Sequence, residues 1–88
     1  MNKARRKELA RIVAKMEELE ALRQEIQEEL EAVLEEEQEA LDNMPEGMQE
    51  SEKGQQMQEY IDAMENALDD LEQIDVDDIR DQIDDIVG

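Results

Sequence analysis

Eighty-eight residues allow one small domain, and the hydrophobic core of a chain this short is only marginally stabilising, so a second copy would add substantially to it. With no Cys and no His, the chain has no disulfides, no thiolate or imidazole catalysis and none of the usual transition-metal ligands, which removes most enzyme classes. Nine basic against 28 acidic residues give a net charge of −19, a surface that repels nucleic acid and anionic membrane and attracts basic partners.

The charge is unevenly placed. Residues 1–15 hold Lys3, Arg5, Arg6, Lys7, Arg11 and Lys15 against Glu8 alone. The remaining 73 residues carry 3 basic and 27 acidic groups. No apolar run follows the basic start, so it does not read as a signal peptide, and no stretch is long enough to span a bilayer; a cytoplasmic protein of a bacterial host cell is expected.

From Leu9 to Met44 apolar residues keep a heptad spacing. Ile12, Leu19, Ile26, Val33 and Ala40 occupy one seam position, and Leu9, Met16, Leu30 and Met44 the other. Val13, Leu22, Leu34 and Leu41 widen the stripe beyond what a two-stranded coil needs, which points to a bundle. Arg23 and Glu37 interrupt the seam and are read as register devices paired with opposite charges, or as places where it opens to water.

The spacing predicts a first helix over residues 3–42, ended by Asn43, Met44, Pro45, Glu46 and Gly47, where Pro disfavours helix before it and Gly suits positive φ. Ser51 offers an N-cap for a second helix over 52–73, with Gly54 expected to delay its start. Its apolar face is Met57, Ile61, Met64, Leu68 and Leu71. At Ile74 the register slips. Asp75 can cap a third segment over 76–87, with Ile74 packing on Ile79 as a hydrophobic staple, so a kink or break is expected there. The fold class that follows is all-α: one antiparallel helical hairpin domain over residues 1–88 with a kinked or broken C-terminal helix. Paired as a homodimer it makes a four-helix bundle; a three-helix monomer is the alternative.

The basic start resembles a phosphate-binding patch, but the acidic remainder opposes any polyanion and no aromatic residue is interleaved to stack on bases. It is better read as a helix end neutralised by the acidic C-terminal helix, in cis or in a dimer. Glu36, Glu39, Glu59 and Asp62 formally fit the paired carboxylate pattern of Mg-dependent all-α nucleotide pyrophosphatases. The heptad phase turns Glu39, Glu59 and Asp62 away from the seam, and no Lys or Arg cluster stands by to hold a triphosphate, so this enzyme reading ranks last. Asp75, Asp77 and Asp78 open like a calcium loop, yet Arg80 stands where the turn Gly belongs and Ile86 where the bidentate Glu belongs. No cofactor, no metal site and no catalytic residue is expected.

The acidic faces remain. Glu17, Glu18, Glu25, Glu28, Glu29, Glu35, Glu36 and Glu39 on the first helix, with Glu65, Asp69, Asp70 and Glu72 on the second, are the candidate partner-binding residues. Carboxylates at i and i+3 or i+4 stand about 5–6 Å apart. Rows of them can imitate a nucleic-acid backbone and occupy a basic cleft; the competing reading is a solvated face that maintains solubility.

The basic start (Lys3, Ala4, Arg5, Arg6, Lys7), the acidic amphipathic helix, the connector Asp42, Asn43, Met44, Pro45, Glu46 and the sequel Ser51, Glu52, Lys53, Gly54 together resemble small acidic helical proteins of Firmicutes phages and mobile elements. The resemblance implies a context in which such proteins inhibit host nucleases, restriction systems or CRISPR effectors by posing as nucleic acid. The expected function is therefore a non-catalytic, homodimeric binding protein that docks on a basic, nucleic-acid-binding protein surface and blocks it. The alternative is a helical assembly module that recruits a partner helix through its apolar stripe.

Overall fold

The computed structural model describes residues 1–88 and is all-α: α1 (Lys3–Asp42), α2 (Glu46–Gln49), α3 (Glu52–Glu72) and α4 (Val76–Val87), with no strand. Its residues fall into two compact units, one formed by Met1–Glu25 with Ile74–Gly88, the other by Ile26–Gln73.

Capping explains where the helices begin. Asn2 Oδ1 accepts from the backbone N–H of Arg5 at 2.8 Å and caps α1. Ser51 Oγ accepts from Gly54 N at 3.3 Å and caps α3. Asp75 Oδ1 accepts from Asp78 N at 3.0 Å and caps α4, so the expected break before residue 76 is present: α3 ends at Glu72 and α4 starts afresh at Val76. Ile74 and Ile79, the expected staple, are both about half exposed.

The connector differs from expectation. Gly47 does not take positive φ; it lies inside the one-turn helix α2, and Gly88 alone has positive φ. Pro45 stands ahead of α2 with φ −56°, and its carbonyl accepts from Met48 N at 2.8 Å, so the proline opens a new turn as well as closing the old helix. Nor does Gly54 delay α3. It sits in the first turn, buried, because a Cβ there would lie 2.2 Å from the carbonyl oxygen of Gln49. Only a residue without a side chain lets the backbone of α2 pass so close.

Within residues 26–73, α3 runs antiparallel to the second half of α1: Gln27 Nε2 donates to Glu72 Oε1 at 3.4 Å, and Leu41 lies beside Gly54 and Gln58. The core here is Leu41 and Ile61, the latter fully buried, ringed by partly buried Leu30, Leu34, Met57, Met64, Leu68 and Leu71. In the other unit α4 runs antiparallel to the first part of α1, with Val87 beside Lys3, Ala4 and Lys7, and Val13 and Val76 buried.

The packed seam of α1 is half the predicted one: the position of Leu9, Met16 and Leu30, interrupted by Arg23 and Glu37 and continued past the helix end by Met44, is packed, whereas the Ile12 position is open and the flanking Val13, Leu34 and Leu41 are packed in its place. Along this seam Leu9, Val13, Met16, Glu20, Arg23, Gln27, Leu30, Leu34, Glu37, Leu41 and Met44 are withdrawn from solvent at alternating four- and three-residue steps, and Gln38 beside Glu37 is partly withdrawn as well. The row Ile12, Leu19, Ile26 and Val33, expected at the centre, is 43%, 53%, 50% and 51% exposed, and Ala40 and Leu22 are exposed with it. One antiparallel neighbour covers one seam of a helix. The seam that is covered includes four polar residues, while the more apolar row lies beside it and open.

Candidate functional site

Of the polar interruptions of the packed seam, Glu20 and Arg23 satisfy each other locally and Gln27 donates across to Glu72. Arg23 Nε donates to both Glu20 oxygens at 3.0 Å, and the two side chains are only 17% and 12% exposed. This hydrogen bond holds the Glu20 carboxyl below its ordinary pKa, aided by Gln24 and by the positive charges of Arg23 and Arg80. Arg23 is thus the paired device the heptad pattern implied. Glu37 is partly buried with no cation within ion-pair distance. On α4, Arg80 pairs with Asp81 at 2.8 Å and Asp77 at 3.5 Å; the hydrogen bond to Asp81, chiefly, raises its pKa.

All four ion pairs lie in one unit. Glu8–Arg11, Glu20–Arg23, Asp77–Arg80 and Arg80–Asp81 belong to residues 1–25 and 74–88, which hold eight basic and eleven acidic groups for a net −3. Residues 26–73 hold one basic and seventeen acidic groups, a net −16, with no ion pair at all. Nearly the whole charge excess is therefore concentrated in one unit and left unneutralised.

All twelve candidate partner-binding carboxylates are exposed: Glu17, Glu18 and Glu25 in the near-neutral unit, and the other nine in the acidic one. They do not form one row. On α1 they fall on several sides of the helix, and the line Glu18, Glu25, Glu39 is interrupted by Ala32. Apart from Gln27 donating to Glu72, no side chain holds any of them. The pyrophosphatase pattern does not assemble either. Glu36, Glu39, Glu59 and Asp62 are all exposed, and no group of three or more carboxylates converges so as to hold a metal ion.

The basic start is not neutralised in cis. Lys3, Arg5, Arg6, Lys7 and Lys15 are exposed and make no ion pair, although Asp81, Asp84 and Asp85 belong to the same unit; Arg11 reaches only Glu8, at 3.5 Å. The expected neutralisation by the acidic C-terminal helix is therefore absent at contact distance within one chain.

The feature the periodicity did not resolve is a one-sided apolar face. Relative to the packed seam, the open row of α1 holds the position just before each inner residue: Ile12 before Val13, Ile26 before Gln27, Val33 before Leu34. Tyr60 stands in the same relation to Ile61, Ala67 to Leu68, Ile79 to Arg80 and Ile86 to Val87. In an antiparallel pair, a two-fold relation carries such a flank of one helix to the same side on its neighbour, so in each unit the two open rows lie on one side. Tyr60, Ile79 and Ile86 are 52%, 52% and 48% exposed. The opposite flank is polar, with Glu17, Gln24 and Glu31 on α1, Gln58, Glu65 and Glu72 on α3, and Asp77 and Asp84 on α4. Its sequence signal is the second apolar phase on each helix, offset from the first by one residue.

No family model, curated protein or solved structure matches the chain. No helix is long and apolar enough to cross a membrane.

Proposed function

We propose that this chain is a cytoplasmic, non-catalytic acidic binding protein that works as a homodimer. Its apolar face is covered by a second copy to give a four-helix bundle, and the carboxylates of residues 26–73 dock on a basic, nucleic-acid-binding protein surface and block it. The observation that carries this reading is the segregation of charge: seventeen carboxylates and one lysine without a single ion pair, held on a paired-helix scaffold. Charge left unneutralised within the fold is available to an external cation surface, with an on-rate steered by the field. Such an inhibitor is the kind small acidic phage proteins supply.

The test is competition. With a purified nucleic-acid-binding enzyme recovered on the immobilised protein, binding should fall steeply with salt, and duplex DNA should displace the protein. Replacing Glu28, Glu29, Glu35, Glu36 and Glu39 together by Gln should abolish binding, while any one such change should leave it within a few-fold. Binding that survives both high salt and the five-fold replacement would refute the electrostatic mechanism.

A second reading, a module that recruits a partner helix through its apolar stripe, is favoured by the half-exposed Ile12, Leu19, Ile26 and Val33. It predicts binding insensitive to salt and abolished by Ile26→Asp. Leu68 is not a probe of that surface, because it is partly buried on the packed face of α3.

A further inference from the structure

We infer that the second copy lies on α1 head to tail, so that the basic start of each protomer covers the acidic second half of the other's α1. This rests on the self-association proposed above and adds its direction.

The apolar row is indifferent to direction. Ile12, Leu19, Ile26, Val33 and Ala40 are spaced by seven residues and centred on Ile26, so the row meets its own copy as well reversed as parallel. Charge is not indifferent. A parallel pairing sets Lys3–Lys15 against the same five unpaired cations of the second copy, and residues 26–73, at −16, against another −16. The reversed pairing about Ile26 sets residues 10–15 alongside residues 37–42, where Glu39 and Asp42 stand exposed, carries Lys3–Lys7 to the end of α1 where the connector with Glu46 begins, and sets the −16 unit against the −3 unit. Like charges repel and screened opposite charges attract over about 8–10 Å at physiological salt, so the reversed arrangement, which parts the two −16 units and the two basic starts, is the less repulsive overall.

The helix itself supplies an independent reason. The macrodipole favours acids in the first turn of a helix and bases in the last. In α1 the first turn has no acid and the last no base; Lys3, Arg5 and Arg6 stand at the positive end, Glu39 and Asp42 at the negative one. Both ends are charged against the dipole, and neither is relieved by an ion pair within the chain. A reversed second copy relieves both at once. The acidic helix end of one protomer receives the cations of the other.

The chain has no cysteine, so single nitroxide labels can be placed at will. Glu25→Cys marks the middle of α1 and Glu39→Cys its end, both at exposed sites. With a rise of about 1.5 Å per residue, labels at position 39 of a reversed pair stand about 40 Å apart, whereas those at position 25 stay within about 25 Å. Dipolar spectroscopy on the full-length dimer, at about 0.15 M salt, should return the short distance at 25 and the long one at 39. Short distances at both positions would overturn the head-to-tail arrangement while leaving self-association intact. No dipolar coupling at either, with a monomer by light scattering, would overturn self-association as well.

Discussion

At Gly54 one missing carbon decides how two helices meet. Its Cα faces the carbonyl of Gln49 so closely that a Cβ would fall 2.2 Å from that oxygen, and Met48 O is only 2.7 Å away. Those are backbone atoms and cannot rotate aside. Alanine would gain roughly 0.5–1 kcal/mol of helix propensity but must push α2 off α3, an overpacking cost of about 1–3 kcal/mol. Gly54→Ala is therefore expected to lower the thermal midpoint by several degrees, at about 4–8 °C per kcal/mol for a chain of this size. An unchanged or raised midpoint would show that α2 is free to move. Glu20 offers a second test at this scale. Its carboxyl is held below the ordinary value by Arg23, so the stabilisation is complete above the ordinary carboxylate range and is lost as pH falls through the lowered value. The stability gap between the wild-type chain and Glu20→Gln should be flat from neutral pH down to about pH 5 and close below it. A gap that persists to strongly acidic pH would assign Glu20 a packing role only.

Among the elements, the sequence marks helix ends better than helix faces. Ser51 and Asp75 are caps in which side chain and position agree, and both accept the hydrogen bond their chemistry offers. Asp75→Ala should cost about 1 kcal/mol and release the start of α4, seen as faster amide exchange at Asp77, Asp78 and Ile79 with α3 unaffected. Equal protection in both proteins would leave α4 without need of its cap. The faces were half legible: the position of Leu9, Met16 and Leu30, with Arg23 and Glu37 in it, packs as its heptad spacing implies, but two phases flank it and hydropathy favours the wrong one. Ile12, Leu19, Ile26 and Val33 outrank Glu20 and Gln27 on any transfer scale, yet the latter are withdrawn from water. They can be, since Glu20 and Arg23 satisfy each other and long polar side chains cover neighbours with their stems. The positions of the carboxylates were legible as exposed; that they are spread around α1 was not, because any acidic helix shows the same i, i+4 pairs.

For the whole molecule the balance is between self-repulsion and apolar burial. Nineteen net negative charges on 88 residues raise the free energy of every compact arrangement, and sixteen of them lie on residues 26–73, where no ion pair offsets them. Salt therefore has much repulsion to screen there and little attraction to weaken. Raising ionic strength from about 0.01 to 0.15 M shortens the screening length from about 30 to 8 Å, and the thermal midpoint should climb, with the protein held at fixed concentration. Mild acidification toward the carboxylate range should act in the same direction by removing the charges themselves, before the Glu20–Arg23 pair is lost at lower pH. The opposite result, a midpoint that falls as salt is added, would mean that attractions between the basic start and the acidic helices dominate the folded state. In a head-to-tail dimer both effects are present. They separate in Ile26→Asp, which loses the intermolecular attraction but keeps the repulsion within each chain, so its midpoint should show the steeper rise with salt.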